Sequence, residues 1–486
     1  MAFTKAPENN TYQTKLVSLL KEQNDRGINA TKDVDYQNVF FEIINNKEAQ
    51  DQRYFIQKRS GCTEYVAAVA GTTIRGMHYN EDFRKLYYVI GSTLYVWNVT
   101  SGALTTSIPA FFGTSSGDVA FCDYLYDTGT AVVVITDGTT LKMISSTQVV
   151  TTCADADLPA HIPSLAFLDG YIFLIKNGTS DIYNSDLNDP MSWTPGNFIT
   201  AEIAPDDARK IVKLNNYLVV FGSGSIEYFW DAGVASGSPL QRNDTPVKLN
   251  GYIGGLAQWG NNIFFVGNNK EGQPDVFMLE DFKMDTIGDT TITRYLQGLA
   301  TTYSTWKGSI VGIDGHHFYV LNAGESTYVY DIGTKLWGRW AFQQTDAFKM
   351  LFCVNTKVAA DYRSIFAIAG TTALYSFDST VYKDNDVNFT CHGITASEEF
   401  DTMNRKQMYR LTVWADRPTF DSQMSIYYTD DDYQTFVGPR NVQLNSDLPA
   451  IHQLGTFRKR AFKWSYTSAS PMRIRAFEVD INKGQT

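Results

Sequence analysis

Histidines, cysteines and clustered carboxylates are the residues most able to do chemistry in this chain. The six histidines (78, 161, 316, 317, 392 and 452) show no H-x-x-x-H or H-E-x-x-H spacing of the kind that aims two imidazoles at one metal. His316 and His317 follow Gly315 directly, and adjacent strand residues point to opposite faces, so they read as a solvent-facing turn pair. The five cysteines (62, 122, 153, 353 and 391) are odd in number, scattered and without C-x-x-C spacing, and read as reduced, mostly buried thiols. Gly113–Gly117 (GTSSG) matches the nucleophile-elbow pattern around Ser115, but no helical pattern follows it, so it reads as a plain loop. Asp430 to Asp432 lack the ligand ladder and distal Glu of a calcium loop and read as a structural turn. Glu202, Asp206 and Asp207 have the composition of a glycosidase pair, a mechanism that depends on carboxyl separation; they read as solvated loop carboxylates. No glycine-rich phosphate loop of Walker or Rossmann type occurs. The expectation is a protein without catalytic, cofactor-binding or metal-binding residues.

Charge points the same way. Arg458, Lys459 and Arg460, with Lys463, Arg473 and Arg475 nearby, form the densest basic cluster and read as a solvated strand face or a protein interface. With 41 Lys+Arg against 52 Asp+Glu the net charge is −11. That balance argues against a broad nucleic-acid clamp. Hydrophobic residues make up 43% and charged residues 19%, a globular composition. No apolar run reaches the ~20 residues of a membrane helix. The opening residues lack the apolar core of a secretory signal, so the sequons at Asn98 and Asn177 carry no weight.

The elements that must carry these residues are strands. Aromatics reach 14% and suit half-buried pleated surfaces. Helical spacing is scarce; Leu16, Leu19 and Leu20 predict one short helix over Lys15 to Gln23 in an N-terminal arm, residues 1–37. Seven segments then share one layout, an apolar strand, a Gly-containing turn and a second strand rich in Tyr, Phe or Val: Leu86–Trp97, Ala131–Met143, Tyr171–Tyr183, Tyr217–Phe229, Ile263–Leu279, Ile310–Tyr330 and Ile365–Phe377. Their turn glycines, Gly91, Gly138, Gly178, Gly222, Gly267, Gly315 and Gly370, are 40 to 55 residues apart and are expected at positive φ. That beat fits one four-stranded propeller blade per repeat. The fold class expected is all-β: a six- to seven-bladed β-propeller over residues 38–390, against the alternative of stacked β-sandwiches. Leu94–Gly102 is similar to the end of a WD-type blade and Tyr328–Trp337 to that of a kelch-type blade. Residues 391–486 form a C-terminal β region that either completes the ring or makes a small sandwich. Within it Thr429–Phe436 (TDDDYQTF) resembles an Asp-box hairpin, with Tyr433 in place of the usual Gly.

Residues 183–242 carry a more specific signal. Ser185, Asp186, Asp189, Pro190, Trp193, Phe198, Ala201, Glu202, Asp206, Phe221, Gly222, Glu227, Tyr228, Gly233 and Pro239 to Arg242 together resemble the packaged-DNA stabilisation proteins of short-tailed bacteriophages, also called tail nozzle or hub proteins. Asn38–Glu42 (NVFFE), Lys58–Gly61 (KRSG, with Ser60 where the family has Pro) and the terminal strands Phe457–Ile481 are similar to the same family. The resemblance implies a structural virion protein, non-enzymatic and without cofactor. It would be a homo-hexameric ring of propellers below the portal and adaptor, meeting tail needle, plug or fibre proteins, with double-stranded DNA passing through. The N-terminal arm and the basic C-terminal strands are the partner surfaces expected. An acidic or neutral channel would let DNA slide, leaving retention to a steric gate or plug. A carbohydrate-binding or glycan-processing propeller and a free scaffold propeller are the competing classes.

Overall fold

The computed structural model describes residues 12–20, 35–44, 53–234, 236–299, 305–358, 361–420 and 422–484. After an N-terminal run of strands, β1 (Tyr12–Ser18), β2 (Tyr36–Gln37), β3 (Val39–Ile44), β4 (Arg53–Lys58) and β5 (Gly61–Val66), six four-stranded antiparallel sheets follow in order: residues 74–108, 120–152, 161–200, 208–248, 252–286 and 307–340. A seventh comprises three strands within residues 350–378 and takes β5 as its fourth. The chain therefore closes its ring by lending a strand from before blade 1 to blade 7.

Each repeat segment forms the paired inner strands of one such sheet, and its apolar run divides between two cores. In blade 2, Val133 and Ile135 enter the core shared with blade 1, while Val132 and Val134 enter the core shared with blade 3. Such strands are buried on both faces and read as continuous hydrophobic runs. Seven cores join successive blades, and the last, with Val66, Ile74 and Leu86 packed on Ile365 and Leu374, joins blade 7 to blade 1. The family-independent propeller reading thus matches an architecture in which no blade buries its own faces unaided.

Two of the turn expectations need correction. Gly222 and Gly267 do not have positive φ. Each is instead a site of close approach: a Cβ at Gly222 would lie 2.2 Å from Asp206 Oδ2, and one at Gly267 2.5 Å from the Gly251 carbonyl. In the long repeat Ile310–Tyr330, Gly315 turns the first strand into the second, and Gly324 makes the turn between the second and third.

The two chain ends fold together. One sheet orders β3, β4, Arg473–Lys483, Lys406–Ala415 and Ala450–Phe457, with β1 also paired to Arg473–Lys483. A second runs from blade 6 through β2 to Cys391–Ile394, Ala461–Tyr466, Gln423–Thr429 and Val437–Gln443. A single core, including Val17, Phe41, Trp464, Phe462 and Phe477, fills the space between them. The helix expected over Lys15 to Gln23 is a strand as far as Ser18; residues 21–23 lie outside the described residues. Val17 is 1% exposed and Leu16 59%, an alternation of period two, and the backbone pairs Val17 with Phe477. The leucine spacing mimics a helix because Leu16, Leu19 and Leu20 fall three and four apart, whereas the strand buries Val17 and Leu19 and exposes Leu16 and Ser18. Among the described residues one helix occurs, α1 (Thr290–Gly298), capped by Asp289 and burying Ile292 and Leu296 between blades 5 and 6.

Candidate functional site at the junction of propeller and sandwich

The residues nominated for chemistry are dispersed, and each has structural work. Ser115 is exposed in a loop that Arg75 holds from β-blade 1: its guanidinium donates to the carbonyls of Gly117, Gly91, Thr114 and Ser116. Asp206 accepts from the amides of Gly224 and Ser225, capping the turn of blade 4, while Glu202 and Asp207 are exposed. His316 and His317 lie in a strand, not a solvent-facing turn. His316 Nδ1 is 2.8 Å from the buried Asp331 carboxylate and its ring packs on Phe40 of β3; His317 packs on Trp259. The hydrogen bond that His316 donates to Asp331 holds its pKa above the ordinary range, against the opposing effect of burial.

The acidic triple and the basic cluster of the C-terminal strands answer each other. Arg460, 1% exposed, makes a two-pronged ion pair with Asp430 at 2.7 Å, and Lys459 pairs with Asp432. Asp431 accepts from the amides of Gln434 and Thr435 and from the Thr435 hydroxyl, which holds its carboxyl at about 2. Tyr433 adopts φ 65°, so the Asp-box turn forms with a tyrosine in the glycine position. The expected solvated basic face is therefore internal at Arg460, because its charge is already matched. Burial pushes the thiols of Cys122 and Cys391 up to about 12, and all five cysteines are free.

What the structure does assemble is a charged node at Lys58–Gly61, where the sandwich strand β4 hands over to the ring-closing strand β5. Arg59 is fully buried and uses all five N–H donors: Nε to Asn38 Oδ1, Nη1 to the Ser60 carbonyl and Asp384 Oδ1, Nη2 to the Ala341 carbonyl and Asp384 Oδ2 at 2.6 Å. Its guanidinium lies 4.0 Å over the Phe389 ring. Asn38 comes from the sandwich, Ala341 from the end of blade 6, and Asp384 from the loop after blade 7, so one side chain ties three parts of the chain. Lys58, also buried, donates to the carbonyls of Tyr382 and Ser468; burial lowers its pKa to about 8. Ser60 donates to Asp314 in blade 6 at 2.5 Å. A Cβ at Gly61 would meet the Lys383 carbonyl at 2.0 Å, which excludes any other residue without movement. A second tie lies at Asp35, which accepts from Arg339 of blade 6 and contacts His392 of the sandwich. Burial opposes its charge, but these two partners prevail and its pKa falls well below the usual carboxylate range.

At the centre of the ring the first strands of successive blades surround a cavity of about 750 Å3. Lys307 of blade 6 reaches across to Asp118, just before blade 2, and pairs with it at 2.6 Å. That bridge links blade 6 to the chain entering blade 2 across the cavity.

The architecture now has a counterpart among known proteins. Residues 26–381 match the family described as Bacteriophage P22 Gp10, beta-propeller. The chain belongs to this family. The tail hub protein gp10 of Salmonella phage P22 is 23% identical over 286 residues, which span 56% of this chain and 58% of that protein. Among solved structures, the N-terminal domain of Nup159 is similar at a TM-score of 0.42, with 11% identity over 70% of this chain and 99% of the other. A catalytically inactive virginiamycin B lyase from Staphylococcus aureus is similar at 0.44, with 10% identity over 65% and 98%.

Within the family segment 183–242, the residues that carried the resemblance are packing and capping residues of blades 3 and 4. The buried Ser185 hydroxyl accepts from the Ile172 amide, Trp193 enters the core between blades 2 and 3, and Phe198 stacks on Tyr183 at 4.9 Å. Glu227, 1% exposed, accepts from the Ile203 amide and faces Arg242 at 3.6 Å; burial raises its pKa. Sequence reasoning named KRSG for its resemblance and missed its partner Asp384, more than 300 residues away, for which no local signal exists.

Proposed function

We propose that this protein is a structural, non-enzymatic component of a short phage tail, resident in the virion. Six copies form the hub or nozzle ring below the portal and adaptor, continue the DNA path, retain packaged DNA and let it pass at ejection. The observation that carries this reading is the family match across residues 26–381. The physics of the chain supports it. A closed ring of blades clamped to a sandwich through Arg59 is a stiff unit suited to bearing load. The Lys307–Asp118 bridge crosses the cavity at the centre of the single propeller, which favours a duplex path between copies. The net charge of −11 suits a wall on which phosphates slide without adhering, and screening confines that repulsion to ~8 Å, so retention falls to a steric gate supplied by a needle or plug protein.

Electron-microscopy class averages of the purified chain, alone and with the portal–adaptor assembly of its parent phage, test the reading. A six-fold ring with an open centre, alone or formed only on the adaptor, is the expected result. A disc that never joins the portal assembly would overturn it.

A further inference from the structure

The axial cavity holds more positive charge than it matches. Its lining contains Arg209, Lys210 and Lys307 against Asp118 and Asp207. Lys307 and Asp118 satisfy each other at 2.6 Å, and Arg209 donates to the Tyr252 carbonyl at the wall. Lys210 is left with no hydrogen-bond partner among the described residues, and the charges acting on it are Asp118, already engaged, and Lys307, which repels it. A β-bulge between Ala208 and Lys210 at the start of the first strand of blade 4 interrupts the regular register where this side chain leaves the sheet. Trp306, Leu351 and Phe352 line the same cavity, and Lys210 itself is half-buried there.

We infer that this cavity is a binding site for one small oxyanion of the phosphate or sulfate class, held by Lys210 with Lys307 beside it. The cavity admits a tetrahedral oxyanion readily, and such an ion supplies several acceptors to two ammonium groups while leaving the Lys307–Asp118 bridge in place. Burial lowers the Lys210 pKa, and a bound anion would oppose that direction. The inference is independent of the tail assignment, since it concerns a single chain.

The test is calorimetric titration and thermal melting of the full chain with sodium phosphate, against sodium chloride at equal ionic strength. Phosphate is expected to bind at one site per chain and, at ~10 mM, to raise Tm by about 1–2 °C beyond chloride. Lys210→Met should lose both responses, and Lys283→Met, which removes an exposed lysine of blade 5, should keep them. Equal responses to chloride, or phosphate binding that survives in Lys210→Met, would overturn the proposal. If Lys210→Met does not fold, Asp118→Asn decides: releasing Lys307 should tighten phosphate binding at least about threefold, and unchanged or weaker binding counts against the site.

Discussion

Arg59 concentrates the residue-scale consequences. Its partner Asp384 is as fully buried as itself, so truncating one side strands the other's charge in a low-dielectric interior. Arg59→Met is expected to destabilise the chain by about 3–5 kcal/mol in urea unfolding. Arg59→Lys should recover little, because an ammonium cannot replace five forked donors. Lys58, next to it, provides a pH signature. Its folded pKa of about 8 lies below the ordinary lysine value, so between those two values the unfolded chain binds more protons. Stability should therefore rise as pH climbs from about 8 towards ~10.4. Unfolding free energies of wild type and Lys58→Met across that window check the sign: the difference between them should carry the slope, and a flat difference would refute it.

At the scale of the element, β1 and β5 are strands whose importance comes from what they pair with. Val17 points into the sandwich core and Leu16 into solvent. Val17→Asp should cost more than about 3 kcal/mol, whereas Leu16→Asp should stay within ~0.5 kcal/mol. A helix over these residues would have placed the three leucines on the buried side and reversed that order, so thermal melts of the two variants distinguish the geometries. β5 closes blade 7 through pairs such as Cys62 with Phe377. Gly61 begins it against the Lys383 carbonyl, so Gly61→Ala should shift the backbone there and cost about 1–3 kcal/mol by denaturant titration.

For the whole molecule, the sandwich is built from both ends of the chain and the propeller is inserted between them. A chain ending at residue 390 would lose the strand that pairs with both β1 and β4 and expose a core that includes Phe41 and Ile56. Limited proteolysis with mass spectrometry should then show cleavage among residues 12–58 while blades 1 to 7 resist. Equal protection of both would show that the N-terminal strands are held by the propeller alone. The same scale governs contact with DNA: the purified chain should show no tight, salt-sensitive duplex binding, because its charge is net acidic and Lys459 and Arg460 of its densest basic cluster are already matched by Asp432 and Asp430.

Local sequence settled what depends on local chemistry. Alternation, double-faced apolar runs such as Ala131–Thr136, and turn residues recurring every 40 to 55 positions determined strands, hairpins and a repeating all-β ring, because each is a property of neighbours along the chain. The Asp-box turn was legible even with Tyr433 in it, since Asp431 supplies the capping bonds itself. What only the tertiary structure decided was pairing at long range. That β1 is a strand follows from its register with Arg473–Lys483, that Gly222 must be small follows from Asp206, and that Arg59 can be buried follows from Asp384. The acidic triple and the basic cluster looked like two separate surfaces in the sequence, but Asp430 pairs with the buried Arg460 and Asp432 with Lys459. A charge or an edge strand shows its own chemistry in the sequence, but its partner is chosen by the closure of the ring and the meeting of the chain ends.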